Sequence, residues 1–279
     1  MEEEKPLLFD STPTMTVHEV KQFLAEHDPG TYNLVDVRQP VEYEEVHIPG
    51  AKLLPLPELM KALPDLDRAK PTILYCSAGG RSRVAAQLLK GQGFKQAFNM
   101  AGGIFNWEGL EAVGPQELNM DLVRGDESPG EMIALAYGME DGLLHFYERA
   151  SARGGNAKVV ELLTTLSRVE ERHKEKLQRL YADLQPEGPA MGGAASDRET
   201  DIMEGGFRIG EFMEQNEPFM DDGERILEMA IMLESQALDL YLRFADKMHL
   251  EATREVLLAI AQEENGHLVH LGRLYDEIS

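Results

Sequence analysis

An ungapped internal repeat limits this chain to a narrow set of folds. Shifted by 94 residues, the segment 132–184 aligns with 226–278 with 13 identities in 53 positions, where average residue usage gives roughly three. The identities include Glu140/Glu234, Tyr147/Tyr241, Arg149/Arg243, Glu170/Glu264, His173/His267, Leu177/Leu271 and Tyr181/Tyr275. A surface helix needs only apolar residues at helical spacing, so shared glutamates and histidines point to a shared polar interior. Apolar residues at three- and four-residue spacing predict helices at about 130–152, 157–184, 223–247 and 250–277. The repeated unit is thus a helical hairpin. Two hairpins joined by the long polar connection Gln185–Gly223 predict a four-helix bundle with one crossover. The middle of that connection, Ile202–Asn216, reads as a short amphipathic helix.

Spacing places the repeated polar residues at one level. Glu140 and Glu170 lie 30 residues apart around Arg153-Gly154-Gly155-Asn156, a strong turn signal. At 1.5 Å per residue, the chain runs about 20 Å out and about 20 Å back, which returns Glu170 to the level of Glu140. Glu234 and Glu264 repeat the spacing around a turn near His249. Glu170-Glu171-Arg172-His173 and Glu264-Asn265-Gly266-His267 are Glu-x-x-His pairs, whose end members share a helix face. A lone pair of this kind is ordinarily a solvated face; two in register with two further glutamates are not. Buried without partners, four carboxylates would cost several kcal/mol each. Two divalent cations balance them and leave the imidazoles as neutral ligands, a donor set that suits iron or manganese better than structural zinc. Glu171, Glu263, His145, His249 and His270 have no matching partner in the repeat and read as solvated or non-ligating.

These residues resemble the ferritin-like di-iron carboxylate superfamily, and within it rubrerythrin-like proteins, over about 126–279. The resemblance implies Glu140 and Glu234 as terminal ligands, Glu170 and Glu264 as bridges, and His173 and His267 as one ligand to each metal. It implies two iron ions, with manganese as the alternative. Tyr147 and Tyr241, two turns beyond their glutamates, read either as core aromatics or as hydrogen-bonding or radical-trapping groups beside the metals. Peroxide or oxygen is the implied oxidant, and a homodimer the implied assembly. Two departures stand out. Ala237 occupies the position, three residues after Glu234, where such proteins carry another glutamate. One cysteine cannot build their Cys-rich electron relay, so an external electron donor is expected.

The first 112 residues follow a different rhythm. Thr16-Val17-His18-Glu19 is a capping box opening a helix, Asn33–Val37 and Thr72–Cys76 read as buried parallel strands, and a helix from Ser82 ends near Gly91 and Gly93. Cys76 ends a strand and is followed by Ser77-Ala78-Gly79-Gly80-Arg81-Ser82. Small residues let successive N–H groups converge on the sulfur, while the helix N-terminus and Arg81 add positive potential, lowering the thiol pKa. Cys-x4-Arg-Ser resembles the active loop of rhodanese sulfurtransferases; cysteine phosphatases space Cys and Arg by five residues. Asp36-Val37-Arg38, His47-Ile48-Pro49-Gly50-Ala51 and Gly102-Gly103-Ile104-Phe105-Asn106-Trp107 extend the resemblance over about 10–112. Val46 departs from it, standing where the family usually has glycine before the histidine. The implied chemistry is attack by the Cys76 thiolate on a small sulfur donor, a persulfide held by loop amides, and transfer to a thiol acceptor. Asp36 and Arg38 are implied to brace the loop.

The expected fold is therefore two domains: an α/β rhodanese-like parallel sheet with flanking helices over 1–112, a linker at 113–129, and an all-α ferritin-like bundle over 130–279. Net charge is −23 in 279 residues, −5 before residue 113 and −18 after it, which disfavours nucleic acid and anionic membranes as partners. The lack of a long apolar run or a signal-like N-terminus, with a single cysteine, reads as cytoplasmic. The expected function is persulfide-forming sulfur transfer joined to di-iron reduction of peroxide or oxygen. The alternative is a non-catalytic iron-binding, iron-sensing or sulfur-carrier protein.

Overall fold

The computed structural model describes residues 12–184 and 201–278. It divides between Leu118 and Asn119 into two compact units. In the first, β1 (Thr14–Thr16) leads into α1 (Val17–Glu26), whose Thr16 and Glu19 side chains cap each other's backbone N–H groups. Then come β2 (Asn33–Asp36), α2 (Pro40–Glu45), β3 (Lys52–Leu53), β4 (Thr72–Tyr75), α3 (Gly80–Gly91) and β5 (Ala97–Ala101). The five strands form one parallel sheet in the order β1-β5-β4-β2-β3. Central β4 is buried throughout, as helices on both faces of a parallel sheet require. One face packs Val35, Val37 and Leu74 against Ala85, Ala86 and Leu89 of α3; the other packs Leu34, Ile73 and Tyr75 against Val20 and Tyr43. Helix α3 opens at Gly80, two residues before the Ser82 start read from the sequence. Val46 has φ −167° and ψ 139°, extended backbone that any residue adopts. Valine there costs no strain.

The second unit holds α4 (Pro129–Ala152) and α5 (Ala157–Leu184), then α7 (Gly223–Lys247) and α8 (Glu251–Ile278). Each pair is a hairpin, and α4 also meets α8 while α5 meets α7. Ser128 and Glu131 form a capping box at the start of α4, with Pro129 at the first helical position. The core beside the polar level contains Leu143, Phe146, Leu163, Leu166, Leu227 and Leu233.

The crossover departs from its expected form. Among its described residues, α6 (Ile209–Asn216) is the one α-helix; β6 (Ile202–Met203) and β7 (Phe207–Arg208) pair antiparallel around a turn at Glu204–Gly206. Gly205, at φ 72°, leaves the right-handed helical region, so the apolar spacing across 202–216 does not become one helix. The expected start of the connection at Gln185 lies outside the described residues. No helix among the described residues is long and apolar enough to cross a membrane.

Candidate functional site

Two sites of different chemistry emerge, one in each unit. Cys76 follows β4 at the C-terminal edge of the sheet, where open parallel sheets place ligands. Gly79, at φ +91° just before α3, turns its N–H onto Cys76 Sγ at 3.1 Å, and the Ser82 hydroxyl lies 3.4 Å from the same sulfur. A side chain at Gly79 would be strained by that φ and crowd Met100 O. Burial opposes the thiolate, yet the Ser82 hydroxyl and the N–H groups of Ser82, Ala78 and Gly79 outweigh it and hold the thiol below its ordinary value. Arg81 is held chiefly by Glu42 and also interacts with Cys76. Its guanidinium donates to both Glu42 oxygens at 2.7 and 2.6 Å and to Ser77 Oγ at 2.7 Å. Glu42 raises the Arg81 pKa, and Arg81 in turn lowers that of Glu42. Glu42 stands amid the glutamates of the Pro40–Glu45 helix, and nothing in composition separates it from Glu44 or Glu45. Asp36 and Arg38 form a buried pair in which Arg38 also donates to Val46 O at 2.6 Å and lies over the Tyr75 ring. The pair thus stands against Tyr75, the residue that precedes Cys76.

In the second unit, Glu140 from α4, Glu170 and His173 from α5, Glu234 from α7, and Glu264 and His267 from α8 are all buried. His173 Nδ1 lies 2.8 Å from Glu170 and 3.6 Å from Glu140; His267 Nδ1 lies 2.7 Å from Glu264 and 3.7 Å from Glu234. The repeat thus produces two matching half-sites. Their imidazoles stack with centroids 3.4 Å apart and planes 4° from parallel. In each half-site, one ligating atom from each of the three residues lies within 4.8 Å of the others. A cavity of about 230 Å³ reaches Glu170, His173, Glu234 and His267, with exposed Arg172 and Lys176 on its wall.

The electrostatics are those of an unfinished site. Glu140 Oε2, Glu234 Oε2 and His267 Nε2 are buried without hydrogen-bond partners, and Glu170 Oε2 and His173 Nδ1 face each other at 2.8 Å without the alignment of a hydrogen bond. Burial first, then neighbouring glutamates, pushes the Glu170 and Glu264 carboxyls well above the ordinary range. Glu234 runs the other way: burial pushes it up, but bonds to His267 and Glu264 outweigh burial. Uncompensated anionic oxygens with two imidazoles fit a pair of metal cations, and the oxygen-rich set fits iron or manganese.

The structure separates the two tyrosines. Tyr241 OH donates to Glu204 at 2.8 Å, whereas Tyr147 OH is buried without a partner. Glu171, Glu263, His145, His249 and His270 are exposed. Glu204 itself was not singled out by the sequence: it lies in the polar crossover, outside the repeat, and its one local signal is the Gly205-Gly206 that follows it. It is 1% exposed, and its ligating oxygen lies within 4.8 Å of those of Glu140 and Glu264.

Comparison with known proteins finds a match to the family model "Rhodanese-like domain" over residues 16–110 and to "Rubrerythrin" over residues 225–279. The second match spans α7 and α8, and so contains Glu234, Glu264 and His267. The chain is 35% identical over 99 residues to a putative sulfur carrier protein, YrkF, of Bacillus subtilis, covering 36% of this chain and 52% of that protein. It is 37% identical over 75 residues to the thiosulfate sulfurtransferase GlpE of Coxiella burnetii, covering 27% of this chain and 70% of GlpE. The chain spans 52% and 60% of the length of the first two curated relatives it matches. Among solved structures, a rhodanese-like domain protein of Staphylococcus aureus is 30% identical, covering 34% of this chain and 90% of that one, at a TM-score of 0.32.

Proposed function

From a chain that belongs to the rhodanese-like family through residues 16–110 and carries a rubrerythrin domain over 225–279, we propose a protein of two chemistries: sulfur transfer at Cys76 and two-metal redox chemistry in the bundle. The sulfur reading is supported by Cys76 Sγ accepting loop N–H groups while its thiol is held below the ordinary value. The thiolate attacks the outer sulfur of a small donor such as thiosulfate. The donor's S–S bond breaks, sulfite leaves, and a Cys76 persulfide forms, its terminal charge facing the N–H groups of the loop. A thiol acceptor then takes the outer sulfur and restores the thiolate. Ser77 and Glu42 keep Arg81 aligned beside this path. Ala78, Gly79, Gly80 and Ser82 form the rest of the cradle.

In the bundle, Glu140, Glu170 and His173 would hold one ion, and Glu234, Glu264 and His267 the other, with Glu170 and Glu264 placed between the halves. Bound iron supplies one-electron steps toward peroxide or oxygen, with electrons from an external donor. The residues themselves set charge and access. The glutamates supply anionic oxygens, stacked His173 and His267 hold the two halves in register, and the cavity admits a small oxidant past Arg172 and Lys176. The observation that carries this reading is the set of buried, partnerless oxygens in repeat-related positions.

Thiosulfate:cyanide sulfur transfer, measured on the intact protein and on Cys76→Ala, tests the first chemistry; equal rates in both would end it. Stopped-flow mixing of the anaerobic ferrous protein with peroxide tests the second. Rapid oxidation of the iron is expected. Its absence would favour storage or sensing of metal, just as the likeness to a putative sulfur carrier would favour carriage over turnover if no acceptor is found.

A further inference from the structure

The repeat makes the ligand set symmetric, and one residue breaks that symmetry. Glu204 belongs to neither hairpin. It is delivered by the crossover, on the turn between β6 and β7, which packs on α7 and α4. Three features build this delivery into the fold. Gly142 of α4 leaves room for Ile202 and Met203, whose backbone a Cβ at that position would strike. Gly205 takes φ 72°, and a Cβ there would run into Gln236 of α7 and the Phe207 ring. Asn119 Nδ2 donates to Gly205 O at 3.1 Å, and Tyr241 OH donates to Glu204 Oε1 at 2.8 Å, so the turn and one carboxylate oxygen are both held. The other oxygen, Oε2, is buried and has no hydrogen-bond partner. A ligating oxygen of this carboxylate stands within 4.8 Å of ligating oxygens from Glu140 and Glu264, one from each hairpin.

Resting on the two-metal reading above, we propose that Glu204 is a seventh protein ligand, which enters the metal pair from the α4–α7 side. The crossover is then part of the metal centre as well as a connection. A carboxylate there closes the side of the cage opposite the cavity, whose lining comes from α5 and α8 together with Glu234. A small oxidant would approach through that cavity, past the stacked imidazoles. A fifth anionic carboxylate also exceeds by one the charge of two divalent cations. Tyr241, which orients Glu204, acts as a positioning residue; its repeat mate Tyr147 has no such partner.

The test uses the full-length protein, stripped of metal and reloaded anaerobically with Mn(II), crystallised, and examined by anomalous scattering. Two ions in the cage with a Glu204 oxygen within about 2.5 Å of one of them would support the inference. Two ions present with Glu204 clear of both would overturn it and leave the two-metal reading standing. No ions in the cage would overturn both. In solution, Glu204→Gln keeps the size of the side chain and an acceptor for Tyr241. It is expected to weaken Mn(II) binding at least about tenfold and to change the Mn(II) paramagnetic resonance spectrum. Tyr241→Phe should weaken binding less and leave the count at two. An unchanged spectrum and affinity in Glu204→Gln would overturn the inference.

Discussion

Around Cys76 the chain supplies its own counter-charges: N–H groups and a hydroxyl face the sulfur, and Glu42 already pairs with Arg81. Around Glu170 the buried groups are carboxylates and two imidazoles, the cations Arg172 and Lys176 stay at the exposed wall of the cavity, and buried oxygens and ring nitrogens are left without hydrogen-bond partners. The difference follows from what each site must handle. A thiolate nucleophile carries a single charge that backbone dipoles at a helix N-terminus can match. A cage of carboxylates carries several charges that no arrangement of amides at that depth offsets, so its counter-charge must arrive from outside. The sharpest break between the two sites is Cys76→Ala. It should lower thiosulfate:cyanide transfer by more than about 10³-fold, as loss of a nucleophile does, while leaving Mn(II) stoichiometry of the bundle unchanged. A parallel loss of metal would mean that the two sites are not independent.

The next largest effect tests whether the cage is unfinished without metal. In metal-free protein, Glu170→Gln removes a buried carboxylate that lacks a hydrogen bond on Oε2, so the variant should be more stable than the parent by about 1–3 kcal/mol in urea unfolding. With metal the order reverses, because the same change removes a ligand and weakens Mn(II) binding about 10- to 100-fold. The sign with pH is fixed by the raised Glu170 pKa. Below about pH 4.3 the carboxyl is protonated in both folded and unfolded chains and the advantage vanishes. As pH rises, the unfolded chain ionises freely while the folded one resists, so the parent loses stability and the gap widens. No such change would arise near Cys76, where removing a donor only costs stability. A Glu170→Gln variant less stable than the parent without metal would show that the cage is compensated by groups other than a cation.

Much of this architecture is legible in the residues because repetition and periodicity are long-range signals. The predicted helices at 130–152, 157–184, 223–247 and 250–277 fall within a residue or so of α4, α5, α7 and α8. The in-register Glu140/Glu170/His173 and Glu234/Glu264/His267 triads are brought together because hairpin geometry is set by counting residues. Glu204 and Glu42 escaped for opposite reasons. Glu204 lies in a connection with no repeat mate, where the apolar spacing suggests an ordinary surface helix, so its burial depends on how the crossover folds back over Gly142. Glu42 does sit on a regular helix, but beside Glu44 and Glu45, and only the position of the Cys76 loop in space selects it. The helix expected across Ile202–Asn216 failed at the glycine turn carrying Glu204, so the same local irregularity hid both the structure and the residue.

The smallest effect probes how finely the Cys76 loop is balanced. The Ser82 hydroxyl has one proton and two acceptors in reach: Cys76 Sγ at 3.4 Å and Asn99 Oδ1 at 2.7 Å. Whatever share the sulfur receives stabilises the thiolate, so Ser82→Ala should raise the thiol pKa by up to about one unit, the worth of one hydrogen bond to a charged acceptor. Asn99→Leu removes the competitor and releases the proton to the sulfur, so it should lower the pKa by a smaller amount. Alkylation of Cys76 by iodoacetamide reads both changes, because its rate follows the thiolate fraction, rising with pH and levelling above the thiol pKa. The plateau should come later than in the parent for Ser82→Ala and earlier for Asn99→Leu. Shifts of the same sign in both variants would mean that Asn99 positions the loop as a whole and does not draw the proton away.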